Sequence, residues 1–325
     1  KKNNTPFYLS LPFIITMLYA AHPMHTEAVA NVKGRDEVMC MLFSLLALLA
    51  TVKYAKTKKM VHLIWGTLIF FVALMSKENA ITFFAVIPLT YYFFTDLKWK
   101  DYAITLGLYA IPAAIFLLLR SHYTQAGLEQ DSPEILNNPF LLATTSQRYA
   151  TIFLTFLYYF KLLIFPHPLT HDYYFNQIPY IDITDFLFIF SFVLNGALLI
   201  YAFINLKKKT IPAYAILFYF ITFSIASNVL FTVGVLMNER FIYMSSLGFC
   251  ILVAYLLVRY VKNPKAVSTI FILVLLLYSG KTFTRNFDWK DSFTLFRRDS
   301  HHSPNSAKIQ TSLGGDLTKA SDSNI

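Results

Sequence analysis

The chain has 325 residues, of which 56% are hydrophobic and only 14% are charged. A soluble domain carries about 25% charged residues, so this chain has too little polar material to cover a water-facing surface. The net charge of +10 would suit a nucleic-acid-binding protein, but the basic residues lie at the ends of apolar segments, as in membrane proteins. Composition therefore excludes a soluble globular class. It predicts an all-α polytopic membrane protein, surrounded by membrane lipids and without a nucleic-acid partner.

Nine apolar segments are predicted to cross the membrane, because a spanning helix needs roughly 20 mainly apolar residues. They are residues 6–21, 38–55, 61–76, 80–95, 102–119, 184–205, 211–235, 240–258 and 266–280. A tenth stretch, residues 149–165, is ambiguous. It is short, contains Lys161 and runs into a proline, which ends a helix.

The positions of lysine and arginine decide how to treat the tenth stretch, because cytoplasmic loops are enriched in these residues. If the N-terminus is cytoplasmic and residues 149–165 do not span, the basic clusters within residues 53–59, 98–100, 207–209 and 259–265 all face the cytoplasm. If the stretch spans, the later clusters face outside. We therefore expect nine spans plus one outer, non-spanning helix. The membrane domain is predicted over residues 1–283, and an extracytoplasmic polar junction over residues 284–325.

The candidate site consists of ionisable side chains near the outward ends of these segments. The middles of the spans carry no Asp, Glu, Lys or Arg, which argues against an ion-coupled transporter. The outward ends carry His22, His25, Glu27, Arg35, Asp36, Lys77, Glu78, Asp172, Glu239 and Arg240. Cations can hold a phosphate and a carboxylate can take a proton from a hydroxyl, so this set suits a substrate with an anionic head and an apolar tail. The alternative is that these charges lie at wet helix ends for structural reasons alone.

His22, His25 and Glu27 also have the side chains of a zinc site. Pro23 interrupts the regular helical spacing on which zinc-binding helices depend, and no fourth ligand is evident. We therefore expect a polar turn here, with no metal ligands and no cofactor. A divalent metal ion is the alternative.

Four motifs resemble, in the same order, those of one known family. They are AHPMHTEAV (21–29) followed by GRD (34–36), LMSKENA (74–80), NERFIYMSSLGF (238–249), and WKDS (289–292) with PNSAK (304–308). The chain resembles the transmembrane and tetratricopeptide-repeat O-mannosyltransferases and their bacterial relatives. PHPL (166–169) with DYY (172–174) is more similar to the bacterial members.

The resemblance implies a GT-C glycosyltransferase. Such an enzyme moves a hexose, here expected to be mannose, from a polyprenyl-phosphate carrier to Ser/Thr hydroxyls of acceptor proteins on the extracytoplasmic side. By this likeness the substrate-binding residues, for the carrier phosphate and the sugar, are Arg35, Lys77, Arg240, Glu239, His22, His25 and Asp36. The catalytic candidates are Glu27, Glu78 and Asp172, with Asp172 as a reserve general base.

Two departures from the family pattern matter. The family's main acidic motif lies in its first outer loop, whereas this chain is expected to begin at the family's third helix, so the general base is expected outside it. The tail resembles only the start of a first tetratricopeptide repeat. A composition rich in Lys, Asn, Ile and Phe favours a bacterial inner membrane over the endoplasmic reticulum. The alternative functions are glycosylation of a lipid or cell-wall glycan, transport, and a membrane-anchored repeat scaffold.

Overall fold

A computed structural model describes residues 6–123 and 138–322. Within these residues the chain is helical and has no strand, which confirms the predicted all-α class. The helices are α1 (Leu11–Ala21), α2 (Thr26–Ala30), α3 (Arg35–Thr57), α4 (Met60–Ser76), α5 (Phe83–Phe94), α6 (Trp99–Tyr123), α7 (Thr145–Ile164), α8 (Phe186–Ile204), α9 (Ile211–Phe223), α10 (Ser246–Tyr260), α11 (Pro264–Asp288), α12 (Ser292–His302) and α13 (Ala307–Asp322). Short 3₁₀ turns lie at Phe7–Leu9, Pro23–His25, Val32–Gly34, Glu78–Thr82 and Glu239–Ile242.

By length and composition, four helical segments of the described chain can cross a membrane. They are Val32–Thr57, Trp99–Tyr123, Phe186–Ile204 and Pro264–Asp288. Four further apolar helices, α1, α4, α9 and α10, are shorter. The long helices carry exposed apolar side chains, such as Leu118 on α6 and Leu276 on α11, as expected where the solvent is lipid. The number of spans and the outer position of residues 149–165 stay predictions.

Local sequence explains where several helices begin. Thr144 and Gln147 form a capping box at the start of α7, in which each side chain accepts a hydrogen bond from the backbone N–H of the other residue. Asn263 caps α11, whose first residue is Pro264, where a missing N–H costs no helical hydrogen bond. These caps satisfy donors that apolar surroundings would leave unpaired.

The helix predicted over residues 211–235 is shorter than expected. It ends at Phe223, and α10 begins only at Ser246. Asn228 explains the irregular segment between them, because its φ is 60° and its side chain bonds three backbone groups. Oδ1 accepts from the N–H of Val233, and Nδ2 donates to the carbonyls of Val235 and Leu236. This mainly apolar segment can be irregular because the side chain of Asn228 replaces some of the backbone hydrogen bonds that a helix would have made.

Three apolar clusters hold the helices together. One joins α3, α4, α5, α6 and α9 around Phe70, Phe83 and Tyr91. Another packs α7 and residues 169–178 against the end of α9, around Tyr159 and Phe223. The third joins α1, α10 and α11. The clusters fix how the helix ends face one another, and so they position the connecting turns.

The two ends of the bundle differ in charge. At one end, Lys58 pairs with Asp101 at 2.7 Å and Lys209 lies 3.8 Å from Asp96. This lysine-rich end includes the connections after α3, α5 and α8. The opposite end carries the 3₁₀ turns at Pro23–His25, Glu78–Thr82 and Glu239–Ile242, and we call it the site end.

Candidate functional site

At the site end, Glu27 on α2 pairs with Arg240 in the turn before α10. Oε1 of Glu27 lies 2.5 Å from Nη1 of Arg240, and Oε2 accepts the backbone N–H of Arg240 at 3.0 Å. Glu27 is 1% exposed. Burial raises its pKa, and Arg240 opposes part of that shift. One carboxylate therefore fixes both the backbone and the guanidinium of Arg240, although the two residues are 213 positions apart.

Lys77, the residue that follows α4, is held by two carboxylates at the start of α3. Its Nζ lies 2.9 Å from Oδ2 of Asp36 and 2.8 Å from Oε1 of Glu37. The amide of Asn79 donates to the other oxygen of Glu37 at 3.3 Å. Burial alone would lower the pKa of Lys77, but the two carboxylates outweigh it and the pKa is raised. Lys77 is thus a fixed cation at the site end.

Glu37 is not among the predicted site residues, yet it is 1% exposed and lies directly under Lys77. The available signal was its position after Gly34-Arg35-Asp36, at the first turn of a helix that becomes apolar at once. A carboxylate that enters an apolar helix needs a cationic partner. Sequence distance concealed that partner, since Lys77 lies 40 residues later, directly after α4.

Lys77 and Arg240 line one polar cavity of about 240 Å³, with Lys33, Asp36 and Glu78 on its walls. We call it the polar cavity. The described residues give Nη2 of Arg240 no hydrogen-bond partner, although Nη1 is engaged by Glu27. The structure therefore brings together two of the three predicted phosphate ligands, Lys77 and Arg240.

Arg35, the third predicted phosphate ligand, is exposed and is not among the residues that line the polar cavity. It is the first residue of α3, whereas Asp36 and Glu37 turn toward Lys77. The cation that reaches the cavity from this segment is Lys33, which precedes Gly34 in the 3₁₀ turn.

An apolar cavity of about 300 Å³ adjoins the polar one, and the two share Glu78 and Ile225 in their walls. The rest of its wall consists of four apolar side chains and one cation: Ile81, Phe116, Leu117, Phe231 and Arg120. Glu78 is half-exposed, and its Oε2 lies 3.5 Å from Nη1 of Arg120. The polar and apolar cavities thus adjoin at the site end of α6.

Glu239 precedes Arg240 but points away from the polar cavity and is 1% exposed. Its Oε1 accepts the backbone N–H of Thr170 at 2.6 Å and the hydroxyl of Tyr173 at 2.9 Å. Burial raises its pKa to about 8, although Arg285 opposes the shift. Glu239 therefore fixes the loop after α7 against the turn that carries Arg240.

Asp172 lies in that loop and is buried, but it does not line the polar cavity. Its Oδ2 accepts the backbone N–H of Tyr174 at 2.9 Å and the hydroxyl of Ser306 at 2.7 Å, and Lys308 lies 3.8 Å from Oδ1. These contacts join the loop to the turn between α12 and α13. Asp172 therefore joins two loops outside the polar cavity, and its role as a reserve base stays a prediction.

His22 and His25 are buried side chains that contact protein atoms. Nε2 of His22 lies 3.0 Å from the carbonyl of Leu163, and Nε2 of His25 lies 2.8 Å from Oγ of Ser246. Burial lowers the pKa of His22 to about 4 and also lowers that of His25. The described residues contain no group of three or more His, Cys, Asp or Glu side chains placed to hold a metal ion.

A third ionic group lies behind Glu239 and was not predicted. Asp299 on α12 accepts hydrogen bonds from both terminal guanidinium nitrogens of Arg285 on α11, at 2.6 and 2.8 Å. It also accepts from the backbone N–H of His171 at 2.7 Å, and Nδ1 of His171 lies 2.9 Å away. Although burial opposes ionisation, these donors hold the pKa of Asp299 at about 2. The signal was Arg285 at the end of an apolar helix, which needs a counter-charge.

The chain is similar in sequence to known proteins. The chain is 30% identical over 327 residues to protein O-mannosyl-transferase F38B6.6 of Caenorhabditis elegans, covering 98% of this chain and 45% of that protein. It is 29% identical over 342 residues to protein O-mannosyl-transferase TMTC3 of Homo sapiens (93% and 36%), and 28% identical over 346 residues to human TMTC1 (92% and 39%). This chain is a homologue of the TMTC protein O-mannosyl-transferases.

The homology confirms the family predicted from the four motifs. The chain spans less than half the length of each of these TMTC relatives. No protein-family model and no solved structure matches it. The assignments to a bacterial member and to a bacterial inner membrane stay predictions, as do the tetratricopeptide repeat and the GT-C likeness.

Proposed function

We propose that the protein to which this chain belongs is a membrane O-mannosyltransferase. It moves mannose from a polyprenyl-phosphate carrier to Ser or Thr hydroxyls of proteins on the extracytoplasmic side. The printed names of the TMTC relatives support the reaction class. One observation supports the donor class. The polar cavity contains two fixed cations and adjoins an apolar cavity, with Glu78 and Ile225 in the walls of both.

The polar cavity fits the phosphate and the sugar. Lys77 supplies a compact charge, and Arg240 presents the part of its guanidinium that Glu27 leaves unpaired, so both can donate to phosphate oxygens. Because Glu27 and Glu37 are buried behind these cations, the cations are held in place before the donor arrives. Such pre-organisation favours binding, since fewer side chains lose freedom on binding.

The apolar cavity fits the first part of the prenyl chain. Phe116 and Leu117 belong to a helix that is long and apolar enough to span, so a lipid can enter from the membrane between α6 and the loop of Phe231. The lipid would then stay partly in the bilayer while its phosphate reaches Lys77. A water-soluble sugar nucleotide would not use this apolar surface.

In the proposed reaction a carboxylate takes the proton of the acceptor hydroxyl, and the oxygen attacks the anomeric carbon of mannose. The bond from that carbon to the phosphate oxygen breaks, and the lipid phosphate leaves with its charge stabilised by Lys77 and Arg240. Asp36 and Glu78 are the carboxylates of the described chain that reach the polar cavity. We therefore propose Asp36 and Glu78, in preference to Asp172, as the acidic residues of the site.

The test is transfer of radiolabelled mannose from polyprenyl-phosphate mannose to Ser/Thr peptides by the full-length protein in detergent. Transfer should fall at least tenfold in Arg240→Ala, about the value of one charge-assisted hydrogen bond. Lys209→Ala is the matched control, because Lys209 lies at the lysine-rich end. Full activity of Arg240→Ala would contradict the phosphate role. Transfer only to a glycan or lipid acceptor would contradict the protein acceptor while leaving the donor site in place.

A further inference from the structure

A third cavity, of about 200 Å³, lies between α7, α8 and α9. We call it the α7–α9 cavity. It shares no lining residue with the polar cavity, although residues 224–230 in its wall alternate in sequence with residues 225–235 of that cavity. Phe153, Phe156 and Phe223 give it an apolar wall, and Leu230 at its rim is 66% exposed. Since α9 has 13 residues and rises about 1.5 Å per residue, its end lies about 20 Å from the lysine-rich end. That depth is inside a hydrocarbon core of about 30 Å, so the rim of the cavity meets lipid.

The α7–α9 cavity contains a buried polar atom without a partner. Asn195 lines it at 3% exposure, and Nδ2 of Asn195 donates to the carbonyl of Ser191 at 2.8 Å and to its hydroxyl oxygen at 3.3 Å. A carbonyl can only accept, so the nitrogen must face Ser191 and the orientation of the amide is fixed. The described chain gives Oδ1 no donor. An unpaired buried carbonyl destabilises the fold, and a bound donor would recover that cost.

The other polar atoms in the wall are also acceptors. The hydroxyl of Ser224 donates to the carbonyl of Ile221, and that of Ser227 donates to the carbonyl of Ser224, both at 2.8 Å. Their hydrogens are therefore used, and only oxygen lone pairs are left for a ligand. No charged side chain lines the cavity. A ligand that fits must be apolar and uncharged, and it must bring its own hydrogen-bond donor.

We propose that the α7–α9 cavity binds a lipid alcohol, whose hydroxyl donates to Oδ1 of Asn195 while its hydrocarbon chain lies against the phenylalanine wall and leaves past Leu230. The site is separate from the polar cavity, and the proposal is independent of the transfer reaction. A hydroxyl satisfies both requirements, since it donates one hydrogen bond and carries no charge to desolvate. An anionic lipid would bring a charge into a wall that has only acceptors.

The test uses farnesol carrying a photoactivatable diazirine as the probe, with full-length protein in detergent. Label should map to peptides within residues 149–164 and 186–230. Unlabelled farnesol should compete with the probe, whereas farnesyl methyl ether, which lacks the donor hydrogen, should compete about tenfold less well. Asn195→Leu should lower labelling about tenfold. Asn205→Leu is the matched control, because Asn205 makes the same kind of bond to the backbone four residues earlier but is exposed.

A second variant keeps the test decisive if Asn195→Leu does not fold. Leu199→Trp fills the cavity and leaves Asn195 intact, so it should abolish labelling while thermal unfolding shows a folded protein. Equal competition by farnesol and its methyl ether would overturn the proposal, because the hydroxyl would not be recognised. Full labelling of Leu199→Trp, or label confined to other helices, would overturn it as well.

Discussion

Replacement of Asp299 by Asn would remove the negative charge from a buried ion pair that joins α12 to α11. Asp299 is fully buried, and the side chain of Arg285 is 2% exposed. In either orientation of the variant's amide, its NH₂ would face a donor nitrogen of Arg285, and in one orientation it would also face the donors of His171. The substitution therefore replaces an attraction by a repulsion without changing the volume of the side chain.

The size of the effect follows from the contacts. Removal of one partner from a buried ion pair costs about 3–5 kcal/mol, because the other charge stays buried. Arg285 keeps a second carboxylate, Asp288 at 3.1 Å, which is partly exposed. We therefore expect the lower value, about 3 kcal/mol, lost from the free energy that opens α12 away from α11.

The assay is amide hydrogen exchange of peptides from α12, measured by mass spectrometry on the full-length protein in detergent. A loss of about 3 kcal/mol in opening free energy should accelerate exchange about 100-fold. Asp316→Asn on α13 is the matched control, because the one ion pair it makes within the described residues, 3.8 Å to Lys319, lies at the surface. Acceleration below about threefold, or an equal change in α4, would refute the assignment of this stability to Asp299.

Three further predictions concern Asp299, Lys77 and Gly34. The folded-state pKa of Asp299 is about 2, below its ordinary value near 4. Protection of α12 against amide hydrogen exchange should therefore be full above pH 4 and should fall as the pH drops through about 2. Exchange measured at several pH values tests this. Lys77→Met should destabilise the protein by about 3 kcal/mol because it leaves Glu37 buried without its cation; the double variant with Glu37→Gln should recover thermal stability but not mannose transfer. A Cβ at Gly34 would lie 2.5 Å from a backbone oxygen of α2, so Gly34→Ala should cost about 1–3 kcal/mol of thermal stability, whereas Gly107→Ala, with no atom within 4 Å, should be neutral or slightly stabilising.

The membrane class and most helices were predictable because apolar segments are long and their ends carry lysines or prolines. Predicted spans such as 61–76 and 184–205 agree with α4 and α8 within two residues. The segment 211–235 was not predictable in the same way, since its residues are apolar both in α9 and in the irregular stretch after it. Hydrogen bonds from the side chain of Asn228 hold that irregular stretch, and composition does not reveal them.

The candidate site was predictable as a set of residues but not as a set of pairs. The motifs identified Glu27, Lys77 and Arg240, yet the sequence does not show that Glu27 binds Arg240 or that Lys77 binds Glu37. These partners lie on different helices, and only the packing of the bundle brings them together. For the same reason the sequence does not show that Ser306 donates a hydrogen bond to Asp172, the predicted reserve base.

The contacts of the loop after α7 also set an order of assembly. Asp172 needs Ser306, 134 residues later, and His171 needs Asp299, 128 residues later. Neither contact can form during synthesis until the chain has been made as far as these partners, by which time α8 to α11 have been synthesised. Such distant pairings carry a loop-closure cost and form after the local helical contacts. Until then the loop that bonds Glu239 lacks these two anchors, so a chain that stops before residue 299 would have an incomplete site end even with every apolar helix in place.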